Sequence, residues 1–127
     1  MNYRETQHGG EFLEADEVRE AFGMYQGAAA KTAIYPEHLK VLYPTLGLAG
    51  ESGEVANKVK KIYRDCGGEI TQQKREELVG ELGDVLWYVA AIATDLGVSL
   101  GDIAMANLIT LYSRMARGKL SGDGDKR

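Results

Sequence analysis

GESGEVANKVKKIYRD (50–65) and GELGDVLWYVAAIATD (80–95) are two versions of one pattern. Each opens with a glycine, then a carboxylate, two further residues, a second carboxylate and a valine. Laid out at about 100° per residue, Leu48, Val55, Val59 and Ile62 make one apolar stripe, and Leu78, Val85, Val89 and Ile92 make another. Glu51, Glu54 and Lys58 run along one flank of the first stripe, and Glu81, Asp84 and Tyr88 along the same flank of the second. The match holds at a constant shift of thirty residues, from Glu51 and Glu81 to Ile62 and Ile92. Two helices with the same surface, packed antiparallel through their stripes, bring four carboxylates to one edge of the core.

Solvated charges on an amphipathic helix stand opposite its apolar stripe; these four lean on theirs. Residues three apart on a helix have Cβ atoms roughly 5–6 Å apart, so two facing pairs form a cage of hard oxygen ligands, the kind Mg²⁺ and Mn²⁺ prefer. Like charges at close range raise each other's pKa, and partial burial raises it further. A divalent cation removes that cost. A lone E-x-x-E reads as a solvated face, whereas two matched pairs beside apolar stripes read as a metal site formed by Glu51, Glu54, Glu81 and Asp84.

The rest of the chain is also helical in pattern, and no segment alternates with a period of two. A first helix is expected from about Glu14 to Ala33, with Val18, Phe22, Tyr25, Ala29 and Thr32 as its stripe and Asp16 as a cap. TAIYPEHLKVLYP (32–44), punctuated by Pro36 and Pro44, reads as a connection. The second helix runs from about Pro44 to Asp65, with Gly67 as its stop. Thr71 caps the third, which ends near Leu96 with Gly97 as its stop, and Ser99 caps the fourth, which ends near Arg117. Asp102 stands in the N3 place of a capping box. The expectation is one all-α domain over 1–127, a four-helix bundle, with residues 1–11 and 120–127 mobile.

Gly50, Gly53, Gly80 and Gly83 fall away from the stripes, where each costs about 1 kcal/mol against alanine. Trp87, Ala90 and Thr94 share that back face on the third helix. A helix that is apolar nearly all round is buried on both sides. The back face is therefore expected to pack on a second subunit, giving a homodimer or a dimer of dimers.

Composition narrows the function classes. The formal net charge of −4 speaks against a nucleic-acid-backbone binder. Cys66 stands alone, so no internal disulfide is possible, which suits a reducing compartment. The first residues, MNYRETQHGGEFLEADE, carry no apolar stretch of the secretory kind. The longest apolar run, 82–97, is interrupted by Asp84 and Asp95 and falls short of the roughly 20 residues a membrane span needs. A cytoplasmic protein without nucleic-acid or membrane partners is expected.

GLAGESGEVANKVKKIYRD (47–65) followed by EELVGELGDVLWYVA (76–90) resembles the MazG-like, all-α nucleoside triphosphate pyrophosphohydrolases, whose signature is E-E-x-x-E, a variable gap, then E-x-x-D. YQGAAAKTAIYP (25–36), LYPTLGLAGE (42–51) and the ending RGKLSGDGDKR (117–127) extend the likeness to the small single-domain branch. The resemblance implies Mg²⁺, replaceable by Mn²⁺, on Glu51, Glu54, Glu81 and Asp84. It also implies hydrolysis of a nucleoside triphosphate, most readily a deoxynucleotide, to monophosphate and pyrophosphate, in nucleotide-pool control or house-cleaning. Lys58, Lys61, Arg114, Arg117 and Lys119 are the phosphate-binding candidates, Asn107 is expected to touch substrate, and Tyr25, Gln26 and Tyr88 are candidates for a base or sugar pocket. Trp87 is expected at the subunit interface rather than against a base. One departure stands out: Gly50 occupies the place of the family's first Glu, a residue that in relatives assists the attacking water.

Other catalytic patterns fail. REELVGELG (75–83) lacks the acidic pair of a Nudix helix, and His8 and His38 stand in no Glu-x-x-His pair of a di-iron bundle. There is no Walker sequence, Cys/His zinc spacing or EF-hand loop. The competing reading is non-catalytic: a helical oligomerisation or nucleotide-sensing module in which the carboxylates hold a structural divalent ion.

Overall fold

The computed structural model describes residues 14–123. Among these residues the protein is all-helical and has no strand: α1 (Ala15–Ala30), α2 (Leu42–Cys66), α3 (Gln72–Asp95) and α4 (Leu100–Ala116), with a single 3₁₀ turn at Glu37–Leu39 between α1 and α2. The all-α expectation and the count of four helices hold. The expected mobility of 1–11 lies outside the described residues, as does that of 124–127.

The termini follow local chemistry. The Thr71 hydroxyl accepts from the Lys74 N–H, and the Ser99 hydroxyl from the Asp102 N–H, so both expected caps form. The Asp102 side chain, however, accepts from Arg19 Nε at 2.9 Å instead of closing a capping box. Gly67 and Gly97 take positive φ, 59° and 68°, as helix stops. Asp16 lies inside α1 and pairs weakly with Arg19 at 3.6 Å, so it is not the cap. α1 ends three residues early because its last bonds tighten to i→i−3, at Lys31, Thr32 and Ala33. α2 begins early because Val41, at φ 65°, serves as its N-cap. Pro44 is buried in the first turn of α2, where an N–H would have no intrahelical partner.

The chain divides into two compact units. One, Ala28–Gly97, contains the connection and the α2–α3 hairpin. Gly47 lies against Tyr88 and Lys58 against Glu81, so the two helices run antiparallel. Ile62, Ala90, Ala91 and Ala93 are buried here, and Val55, Val85, Val89 and Ile92 are half-buried as the stripes require. Val59 is exposed, which departs from its expected place in the stripe. The burial of Ala90 within the chain likewise removes it from the expected subunit-facing surface.

The second unit joins the described residues up to Gly27 with those from Val98. Here Gly101 lets α1 and α4 touch backbone to backbone, since a Cβ at Gly101 would lie 2.7 Å from Arg19 Cα. Gln26 fastens the start of α4: its Nε2 donates to the Val98 carbonyl at 3.0 Å, and its Oε1 accepts from the Leu100 N–H at 2.8 Å. Among the described residues no single helix is long and apolar enough to cross a membrane.

Candidate active site

The doubled pattern places three carboxylates together. Glu51 from α2 and Glu81 and Asp84 from α3 each offer one oxygen, and these oxygens lie within 4.8 Å of one another. Glu51 and Glu81 are half-buried, and Asp84 is exposed. Glu54 is exposed and stands outside this cluster, although its charge still acts on Glu51. Burial pushes the Glu51 carboxyl above its ordinary range, and Asp84, a hydrogen bond with Glu81 and the charges of Glu81 and Glu54 push it further. Lys58 supplies the counter-charge, its Nζ 3.3 Å from Glu81 Oε1. One ammonium against three close carboxylates leaves a strong excess of negative charge. An all-oxygen donor set of this kind fits a hard divalent cation.

Aromatic rings gather one turn beyond Asp84. Tyr35 stacks on Tyr43, with centroids 5.0 Å apart and planes at 21°. Trp87 meets Tyr35 edge-on at 6.5 Å and Tyr88 edge-on at 5.0 Å. The Trp87 indole donates to Thr32 Oγ1 at 2.8 Å. These residues, with Ile34 and Pro36, line a cleft of about 250 Å³. Tyr88 couples the cleft to the carboxylates: burial raises its phenol pKa, and Tyr43, Glu51 and Asp84 add to that. Gly47 makes this approach possible, because a Cβ there would collide with the Tyr88 ring.

Of the predicted site residues, the α2–α3 unit thus brings together Glu51, Glu81, Asp84, Lys58 and Tyr88. Lys61, in the same unit, is exposed and acts on Asp65, which bonds Arg64. Gln26, Asn107, Arg114, Arg117 and Lys119 belong to the other unit. There both ends of the Gln26 amide are engaged by the start of α4. Asn107 is exposed, Arg114 is half-buried, Arg117 Nε donates to the Ser113 carbonyl at 3.2 Å, and the Lys119 N–H closes on the Arg114 carbonyl at 2.7 Å. Trp87, expected at an interface, packs instead in the aromatic cluster.

Sequence reasoning missed Thr32, Tyr35, Tyr43 and Gly47. The first three converge only because the connection folds back on α3, which no helical period reports. Gly47 carried a signal that went unread: it shares the flank of Glu51 and Lys58 on α2.

The family model of the MazG nucleotide pyrophosphohydrolase domain matches residues 42–115. The chain belongs to this family. The matched span opens on the first residue of α2 and holds the whole carboxylate cluster, Lys58 and Tyr88, while Thr32 and Tyr35 precede it. The MazG chain is also similar to the gene 37 protein of Mycobacterium phage L5, with 52% identity over 110 residues, 82% of this chain and 96% of that protein. No solved structure matches. Membership carries nucleotide pyrophosphohydrolase activity in general terms.

Proposed function

We propose that this MazG protein is a divalent-metal-dependent nucleoside triphosphate pyrophosphohydrolase, converting a (d)NTP and water to (d)NMP and pyrophosphate. The observation that carries the reading is the three-carboxylate cluster joined through Tyr88 to an aromatic cleft. Glu51, Glu81 and Asp84 would hold Mg²⁺, or Mn²⁺ in its place, with Glu54 as the fourth carboxylate one turn on. A divalent ion bound there neutralises phosphate charge and lowers the pKa of a water molecule.

The chain's own groups supply the rest. Tyr35, Tyr43, Trp87 and Tyr88 receive the base and sugar in the cleft, which places the triphosphate along the carboxylate flank. Water adds to the α-phosphorus, the bond from that phosphorus to the bridging oxygen breaks, and pyrophosphate leaves. Lys58, already at the cluster, meets the negative charge that develops on the leaving group, with Lys61 further along α2. Asn107, Arg114, Arg117 and Lys119 are the further substrate-binding candidates. Gly50 offers no carboxylate to the attacking water, and a divalent cation on the acidic cluster, by lowering the pKa of water, would supply that activation.

The functional unit in this reading is a homodimer or a dimer of dimers in the cytoplasm, acting on deoxynucleotides in pool control or house-cleaning. Val79, Leu82 and Leu86 support the assembly, forming an exposed apolar stripe on α3 away from the carboxylates, with exposed Val59 and Tyr63 on α2. The test is consumption of deoxynucleoside triphosphates by purified protein, with Mg²⁺ or with chelator. Metal-dependent consumption supports the enzyme. A melting temperature raised by Mg²⁺ with no consumption would support the non-catalytic module instead.

A further inference from the structure

We propose that Asp95 is a positioning residue that sets the width of the aromatic cleft by holding both ends of the α1–α2 connection on one carboxylate oxygen. Asp95 is the half-buried last residue of α3. Its Oδ2 accepts from the Tyr35 hydroxyl at 2.9 Å and from the Val41 N–H at 2.8 Å. These two donors flank the 3₁₀ turn at Glu37–Leu39, so a single atom on α3 fixes the segment on either side of it.

The second of these bonds holds an unusual backbone. Val41 has φ 65° and ψ −50°, and the Leu42 N–H reaches the Lys40 carbonyl at 2.7 Å. This is a γ-turn of the rare positive-φ kind. A β-branched residue with positive φ is a conformational outlier that its surroundings must enforce. The turn redirects the chain so that Tyr43, two residues on, stacks on Tyr35. Tyr35 is thus held directly by Asp95 and Tyr43 indirectly through Val41. Tyr43 in turn lines the cleft with Tyr88. Removing the Asp95 oxygen frees Val41 to leave the strained region, and the Tyr35–Tyr43 wall of the cleft loses its register with Trp87 and Tyr88.

This role rests on the cleft being the nucleoside site, and the experiment separates the two. Trp87 is the single tryptophan and lines the cleft, so its fluorescence reports occupancy. Non-hydrolysable α,β-imido analogues of the four common deoxynucleoside triphosphates are titrated with Mg²⁺ present, and Mg²⁺ alone is followed through its shift of the melting temperature. Asp95→Ala is expected to weaken the best analogue by about tenfold or more while leaving the Mg²⁺ shift in place. Asp95→Asn, which keeps an oxygen acceptor, is expected to restore most of that affinity. Val41→Gly, which removes the Cβ that makes this turn costly, is expected to restore part of it in the Asp95→Ala background. Should Asp95→Ala fail to fold, Tyr35→Phe deletes one of the two donors alone and is expected to weaken binding several-fold. Unchanged analogue affinity in the folded variants, or equal loss of analogue and Mg²⁺ binding, overturns the positioning role. A wild-type protein that binds Mg²⁺ but gives no Trp87 response to any analogue overturns the nucleoside reading, and this role with it.

Discussion

Lys58 on α2 holds its ammonium 3.3 Å from the Glu81 carboxylate on α3, where the two copies of the acidic pattern close on each other. The pair is partly buried, and Glu51 and Asp84 crowd the same point with negative charge. Glu81→Gln keeps the shape, removes one charge and deprives a divalent ion of a ligand. Turnover is expected to fall by more than the roughly 10–100-fold that the loss of an outer partner of a metal ligand costs. Stability in chelator should change by no more than about 1 kcal/mol, because the weakened contact to Lys58 is offset by relief of repulsion on Glu51. Steady-state kinetics and thermal melts of the same preparation check both.

Metal linkage gives a second prediction. An ion that binds only the folded chain stabilises it by about 2.7 kcal/mol at a hundred times its Kd. Mg²⁺ should therefore raise the melting temperature of the wild-type protein, and chelator should reverse the rise. Glu51→Gln and Asp84→Asn should abolish most of the response. An equal Mg²⁺ shift in both variants would place the ion elsewhere.

Two glycines on one helix should respond in opposite directions. A Cβ at Gly47 collides with the Tyr88 ring, so Gly47→Ala is expected to cost about 1–3 kcal/mol and to impair activity as Tyr88 is displaced. A Cβ at Gly53 meets nothing within 4 Å among the described residues, so Gly53→Ala should stabilise a lone protomer by about 1 kcal/mol. If a second copy packs on that face, Gly53→Ala destabilises instead, and light scattering should show weakened assembly. Chemical denaturation of the two variants decides.

Most of the fold was legible in the sequence because it is written in period and punctuation. The repeated stripe gave α2 and α3, and Thr71, Ser99, Gly67 and Gly97 act where cap chemistry puts them. The carboxylate cluster was legible in part: a constant shift of thirty residues brought Glu51 onto Glu81 and Asp84, and helical arithmetic placed Lys58 beside them, while Glu54, expected with them, stands outside. The aromatic cleft was not. Tyr35 is held there by a distant residue, Asp95, and Tyr43 follows a γ-turn at Val41 that no propensity favours and that the same Asp95 holds. The contacts that Gln26 and Trp87 make within the chain were not legible for a related reason. Their partners, at Val98, Leu100 and Thr32, are set by tertiary approach rather than by spacing.

Tyr35 offers a prediction in alkaline solution. Its phenol is pushed up from 10.0 to about 12, first by burial, then by its hydrogen bond to Asp95 and by the Asp95 charge. The folded state therefore keeps the proton after the unfolded chain has released it. The stability from this group is complete below pH 10 and is lost as the pH rises from 10 to about 12. Ultraviolet titration should show Tyr35 ionising late, as Tyr88 also does, and Tyr35→Phe should remove one such component and flatten the fall of stability over the same interval.

The bond that breaks decides the reaction. Purified protein is incubated with each common ribo- and deoxynucleoside triphosphate, with Mg²⁺ and with chelator, and the products are resolved by phosphorus NMR. Monophosphate and pyrophosphate are expected, with Mg²⁺ and not with chelator. Diphosphate and inorganic phosphate would contradict a pyrophosphohydrolase.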